Sequence, residues 1–97
     1  MKDLPTASLS SQSPAPTVLG TGQSPVAIAI DSAYVYWANV SYSNPFGGSI
    51  VKVPIGGGNA TTLIANIDPG PIAVDSKYVY WAGSNGATAA GVFRTPK

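Results

Sequence analysis

The stretch Pro25–Asn39, PVAIAIDSAYVYWAN, occurs twice in this chain. Its second copy is Pro69–Gly83, PGPIAVDSKYVYWAG, which aligns Asp31 with Asp75, Tyr34 with Tyr78 and Trp37 with Trp81 at a constant offset of 44 residues. A fixed period of this size constrains the fold more than any other feature of the chain. Each repeat of such an array is one supersecondary unit that cannot bury its apolar surface alone and has to stack against a neighbour.

Within each repeat the pattern reads as four short strands. Thr17–Gly20 (TVLG) matches Thr61–Ile64 (TTLI), and Gly22-Gln23-Ser24-Pro25 and Asn66-Ile67-Asp68-Pro69 read as the turns that follow. Val26–Ile30 and Gly70–Val74 come next, small or β-branched residues suited to strands. Asp31-Ser32 and Asp75-Ser76 then read as tight turns, with each Asp capping backbone N–H groups. Tyr34–Ala38 and Tyr78–Ala82 are strands with aromatic side chains on both faces. The connections after them differ: Asn39–Gly48 is a long loop, and Gly83–Ala90 is two residues shorter. Ser49–Val53 ends at Pro54 and Gly91–Thr95 ends at Pro96, where a missing N–H does no harm. Gly56-Gly57-Gly58-Asn59 turns the chain into Thr61–Ile64. No stretch carries the 3.6-residue period of an amphipathic helix, so the fold class is all-β. Residues 1–16 are Ser- and Pro-rich and read as a flexible lead-in, with order beginning near Thr17.

These residues resemble the YWTD-type and related bacterial six-bladed β-propeller repeats. The resemblance rests on P-x-x-I-A-[IV]-D-S-x-Y-V-Y-W-A, then G-x-[IV]-[VF]-[KR]-[VT]-P and TxL, and covers about Thr17 to Pro96. Ala38-Asn39 and Ala82-Gly83 stand where the namesake motif has Thr-Asp, and no ligand mode is carried over. The resemblance implies two four-stranded blades, blade one at about residues 26–64 and blade two at about 70–95. Blade two would be completed by residues 17–20 of a neighbouring chain.

Strand pleating puts Val35 and Trp37 on one face and Tyr34 and Tyr36 on the other, as it does Val79 and Trp81 against Tyr78 and Tyr80. Both faces of each repeat are therefore apolar, and a lone pair of repeats would leave two such faces open. Head-to-tail contacts between copies close into rings when the rotation permits. Propellers have about four to eight blades, and three copies supplying six blades suit the resemblance best. The expected partner is thus the chain itself, as a homotrimer. A β-sandwich is the alternative for a chain of this length and about seven strands; the repeat argues against it.

Composition narrows the function classes. Net charge is +1 without a basic run, which argues against nucleic acid. Charged residues make up 9%, well below the roughly 25% usual for soluble domains, so Ser, Thr, Asn and Gly must finish the surface. No run reaches the ~18 apolar residues of a membrane span, and no apolar leader precedes the repeats. The neutral make-up leans towards a secreted or envelope origin. The chain has no Cys, His or Glu, so neither thiolate metal sites nor the familiar base–nucleophile pairs can be assembled. No catalytic residue, metal site or cofactor is expected.

The remaining candidates are few. Tyr36, Trp37, Tyr80 and Trp81 read as inter-blade core, and Lys52 and Arg94 as outward or inter-blade partners. The non-repeating loop, with Tyr42, Asn44 and Phe46, is the best candidate recognition surface for a glycan or peptide, since exposed aromatics beside amides serve such ligands. Gln23 and Asn85 are secondary candidates. Asp68, whose counterpart is Ser24, reads as a solvated turn residue. Asn39-Val40-Ser41 and Asn59-Ala60-Thr61 match the glycosylation pattern. The expected function is a non-enzymatic, self-assembling propeller module, either scaffold or ligand-binding. The alternatives are a piece of a larger propeller enzyme (lyase or hydrolase) and an engineered fragment without activity of its own.

Overall fold

A computed structural model describes residues 15–21, 24–44, 46–86 and 90–97. The described residues form an all-β protein without helices. The strands are β1 (Pro25–Ile30), β2 (Tyr34–Asn39), β3 (Gly48–Pro54), β4 (Thr61–Val74), β5 (Tyr78–Ser84) and β6 (Gly91–Pro96). They pair in chain order as a six-stranded antiparallel sheet. The sheet curls, because β4 lies against β1 as well as beside its hydrogen-bonded neighbours.

The 14-residue β4 is the pivot. Its first part pairs with β3, from Lys52 opposite Thr61 to Gly48 opposite Ile67. Its second part pairs with β5, from Asp68 opposite Ser84 to Val74 opposite Val79. This corrects the turn expected at residues 66–69. The chain stays extended there because the backbone groups of β4 hand over from one partner strand to the other. Asn66, with φ of 60°, and register shifts on either side absorb the change. Residues 17–20 carry no strand within the chain.

Cross-strand partners share a face, and that sorts the side chains. Ile28 faces Trp37, which faces Val51; Ile30 faces Val35, which faces Val53. In the second repeat Ile72, Trp81 and Phe93 form the equivalent row, as do Val74, Val79 and Thr95. The main core joins the opposite face of the first repeat, through Tyr36, Ala38 and Ile50, to Ile67, Val79 and Trp81. A smaller cluster of Val35, Trp37, Val51 and Val53 lies on the first repeat's other face, with Leu19 packed against it.

Candidate functional site

The two Asp turns have the same construction. Asp31 Oδ1 accepts from the backbone N–H groups of Ala33 and Tyr34 at 2.8 and 2.7 Å, while Asp31 Oδ2 accepts from the Tyr36 hydroxyl at 2.6 Å. Asp75 Oδ1 accepts from Lys77 and Tyr78, both at 2.8 Å, and Oδ2 from the Tyr80 hydroxyl at 2.7 Å. Each Asp thus organises its own turn and holds a tyrosine at the start of the following strand. Among the described residues, only Asp31 of the two has an ion-pair partner, Lys97 Nζ at 2.6 Å. Lys97, with the Tyr36 hydroxyl and the turn amides, holds the Asp31 carboxyl well below the ordinary carboxylate range. At Asp75 the Tyr80 hydroxyl and then the turn amides bring the value to about 2. Lys97 is pushed up chiefly by its bond to Asp31, and Tyr36 chiefly by burial.

The same repeat positions differ sharply in exposure. Tyr36 is fully buried, but Tyr80 only partly. Ile50 is 0% exposed, whereas its β6 counterpart Val92 is 79% exposed. Ile28 is 71% exposed, whereas Ile72 packs against the main core. Trp81 is 2% exposed and stacks on Phe93 with ring centroids 4.6 Å apart. Trp37 is buried too, and a depression beside it is bounded by residues 17–20, Val26 and Ile28. Two apolar surfaces are therefore partly open. One is the second repeat's tyrosine face, with Val92 exposed. The other is the margin of the first repeat's Val/Trp face, where Val18, Ile28 and Ile30 are exposed although Val35, Trp37, Val51 and Val53 are themselves buried. Lys52 and Arg94 stand over the rings of Tyr34 and Tyr78 at 4.3 and 4.2 Å, cation–π contacts at equivalent places.

The loop candidates are separated. Tyr42 is 85% exposed. It borders an open cavity of ≈ 510 Å³ together with Ser41, Val26, Asp68 and Pro69, at the end of the seam between β1 and β4. Asp68 is an exposed strand residue there, not the solvated turn residue expected. Asn44 is occupied with its own turn: its Oδ1 accepts from Phe46 N–H and its N–H donates to Ser41 Oγ. Phe46 lies towards the second repeat's loop, where its ring approaches Gly86. Asn85 sits just beyond β5 and is partly buried. Gln23 lies outside the described residues. Asn39 is buried, accepts from Trp37 Nε1 and donates to Ser49 Oγ, so its amide is committed internally. Asn59 is exposed.

Among the described residues no three His, Cys, Asp or Glu side chains gather as a metal site. Nor, among the described residues, is any helix long and apolar enough to cross a membrane. Comparison of the chain with protein-family models, with curated proteins and with solved structures returned no match. The sequence leads one to expect an uncovered face at each end of a pair of repeats. What it does not give is which of two equivalent positions is covered, Tyr36 rather than Tyr80 and Ile50 rather than Val92.

Proposed function

We propose that this 97-residue chain is a non-enzymatic, self-assembling β-propeller module whose two repeats act as blades. Copies stack head to tail, the Val35/Trp37 face of one on the Tyr78/Tyr80 face of the next. Three copies would supply six blades, in line with the resemblance to YWTD-type repeats. One observation carries the reading: the same two kinds of face already meet inside the chain, where Tyr36, Ala38 and Ile50 pack on Val79 and Trp81. The outer faces repeat those residue types at the same register, so the internal contact is a template for the external one. Heterologous contacts of this kind propagate until a ring closes.

The loop end of such a ring is its binding or scaffold surface. Tyr42, in the open beside Asp68, is the side chain best placed to stack on a sugar or peptide. Each copy would present it once, giving avidity from weak single sites.

Light scattering on a sizing column tests the assembly. A mass of about three times 9.8 kDa is expected, and a cooperatively folded species of 9.8 kDa overturns it. A glycan array with the wild type and a Tyr42→Ala, Phe46→Ala variant tests the loop. Binding by the wild type that the variant loses supports recognition; no binding by either leaves a scaffold.

A further inference from the structure

We infer that Tyr42 and Asp68 together clamp a basic side chain, an arginine presented by a peptide segment of a partner; the inference rests on the reading of the loop end as a recognition surface. The repeat singles the two residues out. Residues that build the blades recur 44 positions on, but the counterpart of Tyr42 is Gly86 and that of Asp68 is Ser24. These two unrepeated groups come from different repeats, yet they border one cavity where β1 meets β4. Tyr42 is 85% exposed, and Asp68 is exposed as well. Neither side chain has a hydrogen-bond or ion-pair partner among the described residues. Asp31 and Asp75, in contrast, commit both carboxylate oxygens within their own repeats.

The chain itself shows what such a pair holds. Lys97 Nζ is bonded to the Asp31 carboxylate and lies 5.5 Å from the centroid of the Tyr36 ring. Lys52 and Arg94 stand over the rings of Tyr34 and Tyr78. A tyrosine beside a carboxylate is thus a cation site in this fold, and Tyr42 with Asp68 offers the same two groups to solvent. The ring face attracts a cation, and the carboxylate accepts its N–H groups. A guanidinium suits both at once, being planar, able to stack on a ring and able to donate two parallel bonds to one carboxylate. Val26 and Pro69 line the same cavity, so the aliphatic stem of an arginine has an apolar wall to lie along.

A sugar is served less well there. Its orientation has to be fixed by several polar groups, and the nearest ones are engaged. Ser41 Oγ is bonded to Asn44 N–H and Ser43 Oγ, and Asn44 Oδ1 accepts from Phe46 N–H.

Amide NMR titration of the full chain tests the clamp. The probes are short capped peptides that carry arginine, its neutral analogue citrulline or glutamate at one position, and methyl glucoside. The arginine peptide should shift the amides of Val26, Tyr42, Asp68 and Gly70, with the citrulline peptide at least about fivefold weaker. Tyr42→Ala and Asp68→Asn should each weaken the arginine peptide about two- to fivefold. Both change exposed positions, so the spectrum elsewhere should stay as it is. Asp68→Lys should transfer the preference to the glutamate peptide, which a merely structural role would not do. Equal binding of the arginine and citrulline peptides overturns the inference, as does an arginine peptide that moves none of these amides. Methyl glucoside binding at the same amides would then leave the loop end as a recognition surface, whereas silence there and on the glycan array removes both.

Discussion

Trp37 and Trp81 occupy the same place in the two repeats, yet their indole N–H groups find different acceptors. Trp37 Nε1 donates to Asn39 Oδ1 and Trp81 Nε1 to Thr95 Oγ1, both at 3.1 Å. The counterpart of Asn39 is Gly83, and the counterpart of Thr95 is Val53. Each repeat thus keeps one polar partner on this face and gives up the other. A buried indole N–H must be satisfied, but the fold accepts either neighbour as the source. The repeats are held alike by shape and differently by hydrogen bonds. Their surroundings differ more. The second repeat's Val/Trp face is covered by the first repeat, whereas the first repeat's Val35, Trp37, Val51 and Val53 form a separate buried cluster with Leu19 against it, and the neighbouring Ile28 and Ile30 stand open.

The largest effect separating the repeats should come from the tryptophans. Trp81→Ala removes the centre of the main core and should cost about 3–5 kcal/mol, a large share of a small domain's stability. Trp37→Ala should cost the single chain less and should abolish assembly. Urea unfolding and light scattering on both variants check this; equal unfolding costs with assembly intact would mean that the two faces are not used differently.

Exchanging backbone-limited positions ranks next. Gly83 has φ of 155°, and a side chain there would strike the Asp68 carbonyl oxygen. Gly83→Asn, which copies the first repeat, should therefore destabilise by at least about 1 kcal/mol, with no gain from the added amide. A neutral result in thermal unfolding would show that β4 can move aside.

The acceptor swap should follow. Asn39→Ala strands the Trp37 N–H and should cost about 1–3 kcal/mol, as should Thr95→Val for Trp81. Adding Val53→Thr to Asn39→Ala should restore much of the loss by giving Trp37 the second repeat's solution. A double-mutant cycle measures this, and strict additivity would break the proposed equivalence.

The smallest difference is electrostatic. Both aspartates are depressed in the folded chain, so their contribution is complete above the ordinary value of about 4. It declines as pH falls through each folded value: about 2 for Asp75 and lower for Asp31. Carboxyl NMR titration should show Asp31 titrating below Asp75, and Lys97→Met should bring Asp31 up towards it. Indistinguishable titrations in the wild type would remove Lys97 as the distinguishing partner.

Much of the fold was legible because strands write their faces into alternate residues. The Asp31 and Asp75 turns, the paired aromatics and the strand-ending prolines follow from local chemistry. Of the eight short strands the pattern reads, seven lie in strands, with 61–64 and 70–74 joined as β4, and 17–20 carries none. Residues 66–69 read as a turn because Asn, Asp and Pro cluster there. Their extension depends on β3 and β5 lying on either side, contacts distant in sequence. The loop was half legible: Tyr42 stands exposed as an aromatic among small polar residues should, but nothing local sends Phe46 towards Gly86.

By itself the sequence determined that this chain is all-β and twofold repetitive, with apolar side chains on both faces of each repeat. Those properties arise within a few residues, from side-chain type and the two-residue period of an extended backbone. Only the tertiary structure decided that β4 serves two partner strands and which faces meet inside the chain. It also decided that Tyr36 and Ile50 are covered while Tyr80 is covered only in part and Val92 stays open. Burial is a property of what lies opposite, and repeats alike in sequence are told apart only by their neighbours.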